Sequence, residues 1–443
     1  MAEITSGRTR RMLSVGQLTT AVGGSYLWQV IKRPFQSATR TEQALLATHI
    51  RNAERVVARS KELRGAFMKL VQMLSMRTDL FPAEALEVLS VVQSSVPAMP
   101  YARVQEVLTA ELGAPPEERF RHFEPTAFAA ASLGQVHRAE LPGGEPVAVK
   151  VQYPGVAATV KQDVKNIRAL LAVLAALARD VMRQNVDPEE VAAELEDRLR
   201  EELDYLHEAD NLERFRRLLA DDPEVMVPRV HRSHTTTRVL TMEYLEGYPI
   251  QDILAPGVDQ ELKDWIAEKL FRLLWRQVLE FGVLHTDPHP GNYRVTHHPR
   301  LGMLDFGSVR VFEPPIQAGY RRLAHGLLAR NDAEIGAACV TLGFVRPGDD
   351  PAPLVRMMHV ICEPLERDAP FDPRAYDLLQ RGTEVTQLAV EHRLFRTPGH
   401  HVFLLRALVG LDAYLKALGT VRNWHRIFRE VADGPTSAAA RHR

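Results

Sequence analysis

The sequence predicts an α+β protein in two lobes, and three observations carry that prediction. Apolar residues recur at three- and four-residue steps from about Thr41 to Val92, with Leu63, Phe67, Leu70 and Leu74 the clearest set. A β-hairpin pattern follows at residues 133–153, and from Gln260 onward the pattern is mostly helical to the end. At 443 residues, 45% hydrophobic and 25% charged, the chain is long enough for two or three cores.

The elements follow in order. Before Thr41, six basic residues (Arg8, Arg10, Arg11, Lys32, Arg33, Arg40) face Glu3 alone, with Val22, Tyr26, Leu27, Trp28, Val30 and Ile31 among them. A basic, aromatic-bearing segment suits an anionic membrane surface; a solvated tail docked on its own domain is the plainer reading. Proline in "DLFPAE", residues 79–84, marks a helix restart, and a further helix spans residues 101–112 before Pro115 and Pro116.

"LGQVHRAEL", the turn "PGGE" and "PVAVKVQY" then form the hairpin. Helix returns over residues 156–219 as two pieces, the second opened by Asp187 and Pro188. Residues 237–247 read as strand, and one long amphipathic helix runs from Gln260 to about Phe281.

Several classes are excluded or disfavoured. Net charge is -1, so no global field favours nucleic acid, and none is expected as a partner. Cys339 and Cys362 are too few for a disulfide framework, which points to a reducing, cytoplasmic compartment, and the start shows no secretory leader. The most apolar run, residues 169–178, is about half the roughly 20 residues a bilayer requires.

The chemistry concentrates in "HTDPHPGNYRVTHHPRLGMLDFG", residues 285–307. His285-x-Asp287, Asn292 five residues later, and Asp305-Phe306-Gly307 repeat the order and spacing of a kinase catalytic loop and metal-binding loop. Asp287 would accept or orient the proton of the attacking hydroxyl or water, and Asn292 and Asp305 would hold Mg²⁺. A metal site built by His285, His289, His297 and His298 is the rival; it lacks a carboxylate or cysteine cluster to complete it.

A kinase reading requires a strand lysine upstream, and "VAVK" supplies Lys150. The glycine loop that should precede it is matched by Ala129, Ala131, Gly134 and Val136, so two glycines are alanines. Alanine resists positive φ and keeps the backbone off the phosphates, which predicts altered nucleotide geometry. The carboxylate partner of Lys150 comes from "EELDYLHEADN": Glu208 is the first choice and Glu202 the alternative. Asp204 and Glu208 should share a helical face with Glu201 and Asn211.

Together these residues resemble the UbiB/ADCK (AarF-type) atypical kinases, a family associated with ubiquinone biosynthesis and lipid metabolism. The likeness covers residues 62–310, with a weaker one beyond, and rests on "AAASLGQVH", "VAVKVQYPG", "EELDYLHEADN", "HTDPHPGN" and "DFG". "KLVQ" is similar to the family's K-x-G-Q motif, with Val71 in place of glycine.

The resemblance implies a two-lobed protein-kinase-like fold whose N-terminal helical extension packs over the active site. It implies a lid in which Lys69 and Gln72 meet Glu202 and Asp204. It also implies nucleotide contacts from Ala129, Ala130, Ala131, Ser132, Gly134, Val136, Lys150, Glu243 and Tyr244, with Asp287, Lys150 and Glu208 as the catalytic set.

The expected division is a basic segment at 1–40, the helical extension at 41–118, an N-lobe with inserted helices at 119–247, a C-lobe at 248–425 and a tail at 426–443. Thr286 stands where typical protein kinases carry an arginine, and no Ala-Pro-Glu anchor follows Gly307, so protein phosphorylation is disfavoured.

The expected function is an ATP- and Mg²⁺-binding atypical kinase or ATPase. Its partners would be a nucleotide, a lipid or quinone-precursor small molecule, and a membrane surface touched peripherally from the cytoplasm. The alternatives are a nucleotide-binding pseudokinase scaffold and a small-molecule kinase of the aminoglycoside or choline type.

Overall fold

In the computed structural model the described residues are 8–32, 38–63, 67–68, 70–71, 88–89, 99–131, 133–157, 160, 163–169, 171–172, 188–255, 257–296, 300–376 and 398–434. The chain divides into two compact units, Met1–Asp210 with Arg229–Tyr244, and Asn211–Pro228 with Leu245–Arg443.

Alternation in the hairpin sequence decides the first unit. Strands β1 (His122–Phe123), β2 (Ala129–Ala131), β3 (Gly134–Glu140) and β4 (Pro146–Gln152) precede β5 (Val225–Met226), which belongs to the second unit, and β6 (Val239–Glu243) completes the first. The sheet order is β1-β3-β4-β6, antiparallel throughout, with β2 folded back on β3.

Because side chains alternate across a strand, Val147, Val149 and Val151 all face one core, where Val104, Val107 and Leu108 of the helix Tyr101–Leu112 meet them. Each valine buried this fully contributes about 1.5–3 kcal/mol. Lys150 therefore points to the opposite face, away from that apolar layer. The helix stops at Gly113, whose φ of 76° lets its N–H reach the Thr109 carbonyl.

A second core in this unit joins the helices Arg8–Lys32 and Ala38–Leu63. Val15, Leu18, Val22 and Tyr26 pack with Ala53, Val56 and Val57, and the cluster continues through Phe67, Leu70, Val71, Leu133, Tyr153 and Leu199. Tyr26 and His49 fix the register of the pair with a 2.6 Å hydrogen bond.

The acidic segment is not one helix. Pro188–Glu202 ends before Leu203, and a new helix runs from Tyr205 to Leu218. The Asp204 carboxylate accepts the Leu206 N–H at 3.0 Å while its carbonyl accepts that of Glu208, as a residue just outside a helix start does. The expected common face is thus corrected: Glu201 belongs to the preceding helix, and only Glu208 and Asn211 lie together on the second.

In the second unit, β7 (Tyr248–Pro249), β9 (Tyr293–Val295) and β10 (Leu301–Met303) join β5 in the order β5-β10-β9-β7, while β8 (Val283–His285) pairs with β11 (Val309–Val311). The expected hairpin around "HHPR" is the β9–β10 pair; His297, His298 and Pro299 lie outside the described residues. Where the sequence suggests one long helix after Gln260, an α-helix ends at Trp275 and a π-helical turn covers Arg276–Phe281. Helices Pro314–Ala329, Asp332–Thr341, Ala352–Ile361, Gly399–Leu418 and Trp424–Ala432 follow.

Candidate active site

Lys150 lies on β4 with Val136 of β3 directly opposite it. Its ammonium donates to both carboxylate oxygens of Glu208, at 2.9 and 2.8 Å. The two side chains are 8% and 3% exposed, so the pair is essentially dry. The Tyr205 ring lies 5.0 Å from the ammonium, a cation–π contact from the first turn of the same helix. Glu202, the alternative partner, is half-buried at the end of the preceding helix.

The alanine run is strand. Ala129, Ala130 and Ala131 pair with Val136, Gln135 and Gly134, and Arg330 is the one non-glycine residue with positive φ among the described residues. The expected conflict between alanine and a left-handed backbone therefore does not arise, because β geometry suits alanine as it stands. Gly134 is required for room: a Cβ there would collide with the Val151 carbonyl and the Tyr205 hydroxyl.

Tyr244 sits at the end of β6, its N–H on the Pro146 carbonyl, with Phe128 edge-on at 5.7 Å and the Arg138 guanidinium 4.6 Å from its ring. Glu243 accepts the Arg229 N–H through its side chain.

Of the residues implied as a lid, Lys69 and Gln72 lie outside the described residues, as does Ser132 of the alanine loop. Val71 between the lid pair is fully buried in the second core, so the bulk it adds over glycine is used as apolar packing.

In the second unit, His285 ends β8 and its imidazole meets the Asp305 carbonyl at 2.6 Å. Burial pushes its basicity down, and because a carbonyl can only accept, Nε2 is the donor. Its backbone N–H goes to Gln277, a residue of the π-helical turn, at 2.7 Å. Thr286 bonds Ser308 hydroxyl to hydroxyl at 2.6 Å, and the pairing of β8 with β11 holds the two loops side by side.

Asn292 donates to the Asp287 carboxylate at 3.0 Å, and its carbonyl accepts the Leu304 N–H at 2.9 Å, next to Asp305. The Asp305 carboxylate accepts the Gly307 N–H at 3.1 Å. Asn211, three residues beyond Glu208, holds the Phe306 carbonyl at 3.1 Å, and the Phe215 ring packs against Phe306 at a tilt, 4.8 Å between centroids.

Asp305 and Asn292 offer hard oxygen donors suited to Mg²⁺. The Asn292 amide nitrogen is occupied by Asp287, which leaves its Oδ1 for a cation. No group of three or more His, Cys, Asp or Glu side chains among the described residues could hold a metal ion, so no histidine metal site is found there.

The model of the ABC1 atypical kinase-like domain matches residues 91–338, more than half of the chain. The chain belongs to this family, the UbiB/ADCK atypical kinases. Atypical kinase COQ8B, mitochondrial, of Rattus norvegicus is 32% identical over 416 residues, covering 92% of this chain and 77% of that protein. Atypical kinase COQ8, mitochondrial, of Saccharomyces cerevisiae is 29% identical over 439 residues, covering 97% and 86%.

An uncharacterized Synechocystis protein, sll0095, is 33% identical over 370 residues; this chain spans 65% of its length. Among solved structures, the complex of Rv3197 with erythromycin from Mycobacterium tuberculosis matches with a TM-score of 0.60 and 28% identity, covering 85% of this chain and 94% of that one. The mixed helix-and-sheet architecture is accordingly the kinase-like fold of an ABC1 family member.

Sequence reasoning missed the residues that brace the motifs of this family member. Arg406 bonds the Asp287 carboxylate at 2.7 Å from the helix Gly399–Leu418, more than a hundred residues downstream. Tyr414 donates to the Pro288 carbonyl at 2.8 Å from the same helix. A helix is read from its apolar stripe, and nothing in that stripe says which loop it meets; Gly410, small in an apolar run, was the available signal.

Proposed function

We propose that this chain is an ATP- and Mg²⁺-dependent atypical kinase or ATPase that acts on a lipid or isoprenoid-quinone precursor rather than on protein. The observation that carries the reading is the dry pair of Lys150 on β4 with Glu208 on the helix Tyr205–Leu218, the charge arrangement that presents a lysine to the α and β phosphates of a nucleotide. Asp287, braced by Asn292, would take or orient the proton of the attacking hydroxyl or water. Asn292 and Asp305 would hold Mg²⁺, which neutralises charge as it develops on the transferred phosphoryl group. The work is positioning and electrostatics, so rigid placement of these side chains matters more than any covalent step.

Membrane proximity is part of the proposal. Leu27, Trp28 and Ile31 are exposed near the end of the helix Arg8–Lys32, and the Lys32 ammonium lies 4.9 Å from the Trp28 ring. Exposed apolar side chains among basic ones fit an anionic lipid surface. No helix among the described residues is long and apolar enough to cross a membrane. The named COQ8 relatives are mitochondrial, and a peripheral membrane site for this chain accords with that.

The test is ATP hydrolysis with and without Mg²⁺, anionic liposomes and quinone-precursor-like phenols. Mg²⁺-dependent turnover stimulated by the lipid or the phenol supports the proposal. Nucleotide binding without turnover under every condition would leave a scaffold in its place.

A further inference from the structure

The loop His285–Asn292 contains no lysine or arginine, yet its aspartate carries a cation. Arg406 reaches Asp287 at 2.7 Å, with both side chains about a quarter exposed, 24% and 27%. The helix that supplies it grips the loop at three positions spaced four residues apart. Arg406 takes the Asp287 carboxylate, Gly410 lies against the Pro288 ring so closely that a Cβ there would collide with it, and Tyr414 donates to the Pro288 carbonyl. Spacing of four places all three on one helical face, so the contacts form a single clasp.

The other carboxylate oxygen of Asp287 is taken by Asn292, which leaves the carboxylate with a charged donor on one oxygen and a neutral donor on the other. Charge-assisted hydrogen bonds are the stronger kind, so Arg406 dominates the orientation.

We infer that Arg406 is the positioning residue of the Asp287 loop: from a remote helix it adds a charged donor to the carboxylate that Asn292 holds within the loop. The inference rests on the role proposed for Asp287. Thr286, where typical protein kinases have an arginine, bonds Ser308 instead and gives the loop no charge. An external guanidinium anchored by Gly410 and Tyr414 therefore ties loop order to the docking of Gly399–Leu418.

The test uses the full chain with Arg406→Gln and Arg406→Lys, and reads three quantities. Amide hydrogen exchange at His289, Gly291 and Asn292 should rise about tenfold in the glutamine variant, with the helix Gly399–Leu418 unchanged, and return most of the way in the lysine variant. Turnover should fall about 10- to 100-fold while MgATP affinity stays within about twofold, because misplacement of a reacting group reduces kcat without loosening the phosphates.

Exchange in the loop that does not change on Arg406→Gln would overturn the inference. So would a loss of fold and nucleotide affinity together that lysine does not repair. An unaltered chain that turns over no ATP would sink the proposed function instead, and the exchange measurement would still judge the clasp. Gly410→Ala is the second variant: its methyl displaces Pro288, so it should raise exchange at the same three amides with Arg406 intact.

Discussion

Replacing Glu208 by alanine strands the Lys150 ammonium in a site where the two side chains are 8% and 3% exposed. Breaking a buried pair on one side costs about 3–5 kcal/mol, since the remaining charge loses its carboxylate in a site with little water. The Tyr205 face, 5.0 Å from the ammonium, is retained and offsets about 0.5–2 kcal/mol of that. The expected net loss is about 1–4.5 kcal/mol, a large part of the roughly 5–15 kcal/mol that holds a folded chain.

Urea unfolding followed by circular dichroism measures it, and at slopes of about 1–3 kcal/mol per molar the midpoint should fall by about 0.3 M or more. The double variant Lys150→Met with Glu208→Leu, which removes both charges, should recover most of the stability while binding no nucleotide. A Glu208→Ala midpoint within about 0.2 M of the parent would refute the claim that the pair is dry.

Four further outcomes follow from the same structure. Asp305→Asn should abolish Mg²⁺-dependent ATP turnover with an unchanged melting temperature, and retained turnover would remove Asp305 from its metal role. Ala131→Gly, in a strand paired with Gly134, should loosen the hairpin by about 0.5–1 kcal/mol and change nucleotide affinity; an identical nucleotide profile would count against the loop assignment. Changing exposed Leu27, Trp28 and Ile31 together to serine should weaken binding to anionic vesicles without unfolding the helix pair, and equal binding would dismiss the lipid surface.

The fourth concerns pH. Burial works against charge on His359, but the carboxylates of Asp332 and Glu366 outweigh it and raise its basicity; burial also raises Glu366, against the opposing effect of His359. Raised groups stabilise the fold below their ordinary values and lose that contribution as pH climbs through the raised ones. The melting temperature should therefore fall as pH rises above 6.5, and His359→Gln should flatten that slope.

Local pattern made the hairpin legible, because β3 and β4 alternate and a glycine-rich turn separates them. In the structure the hairpin brings Lys150 opposite Val136, a register the sequence reading did not state. The pairing with Glu208 followed from charge and helical phase. The break at Leu203–Asp204 did not, since Asp204 in mid-run looks like any acidic helix residue until its carboxylate is seen taking the Leu206 N–H. The alanine loop was legible as composition but not as strand: propensity favours helix for three alanines, and the ladder to β3 overrides it. Gln277, Arg406 and Tyr414 were invisible for a different reason, as each acts on a residue that only tertiary packing brings near.

The family match ends at residue 338, whereas the helix that grips Pro288 begins at Gly399. A fragment trimmed to the matched boundaries would keep Lys150, Glu208, Asp287, Asn292 and Asp305 but lose both the Lys69–Gln72 motif and what holds the aspartate in place. Such a fragment could bind nucleotide and yet be slow. Work on shortened versions of this chain should keep residues up to at least Leu418 before an absent activity is blamed on the motifs themselves.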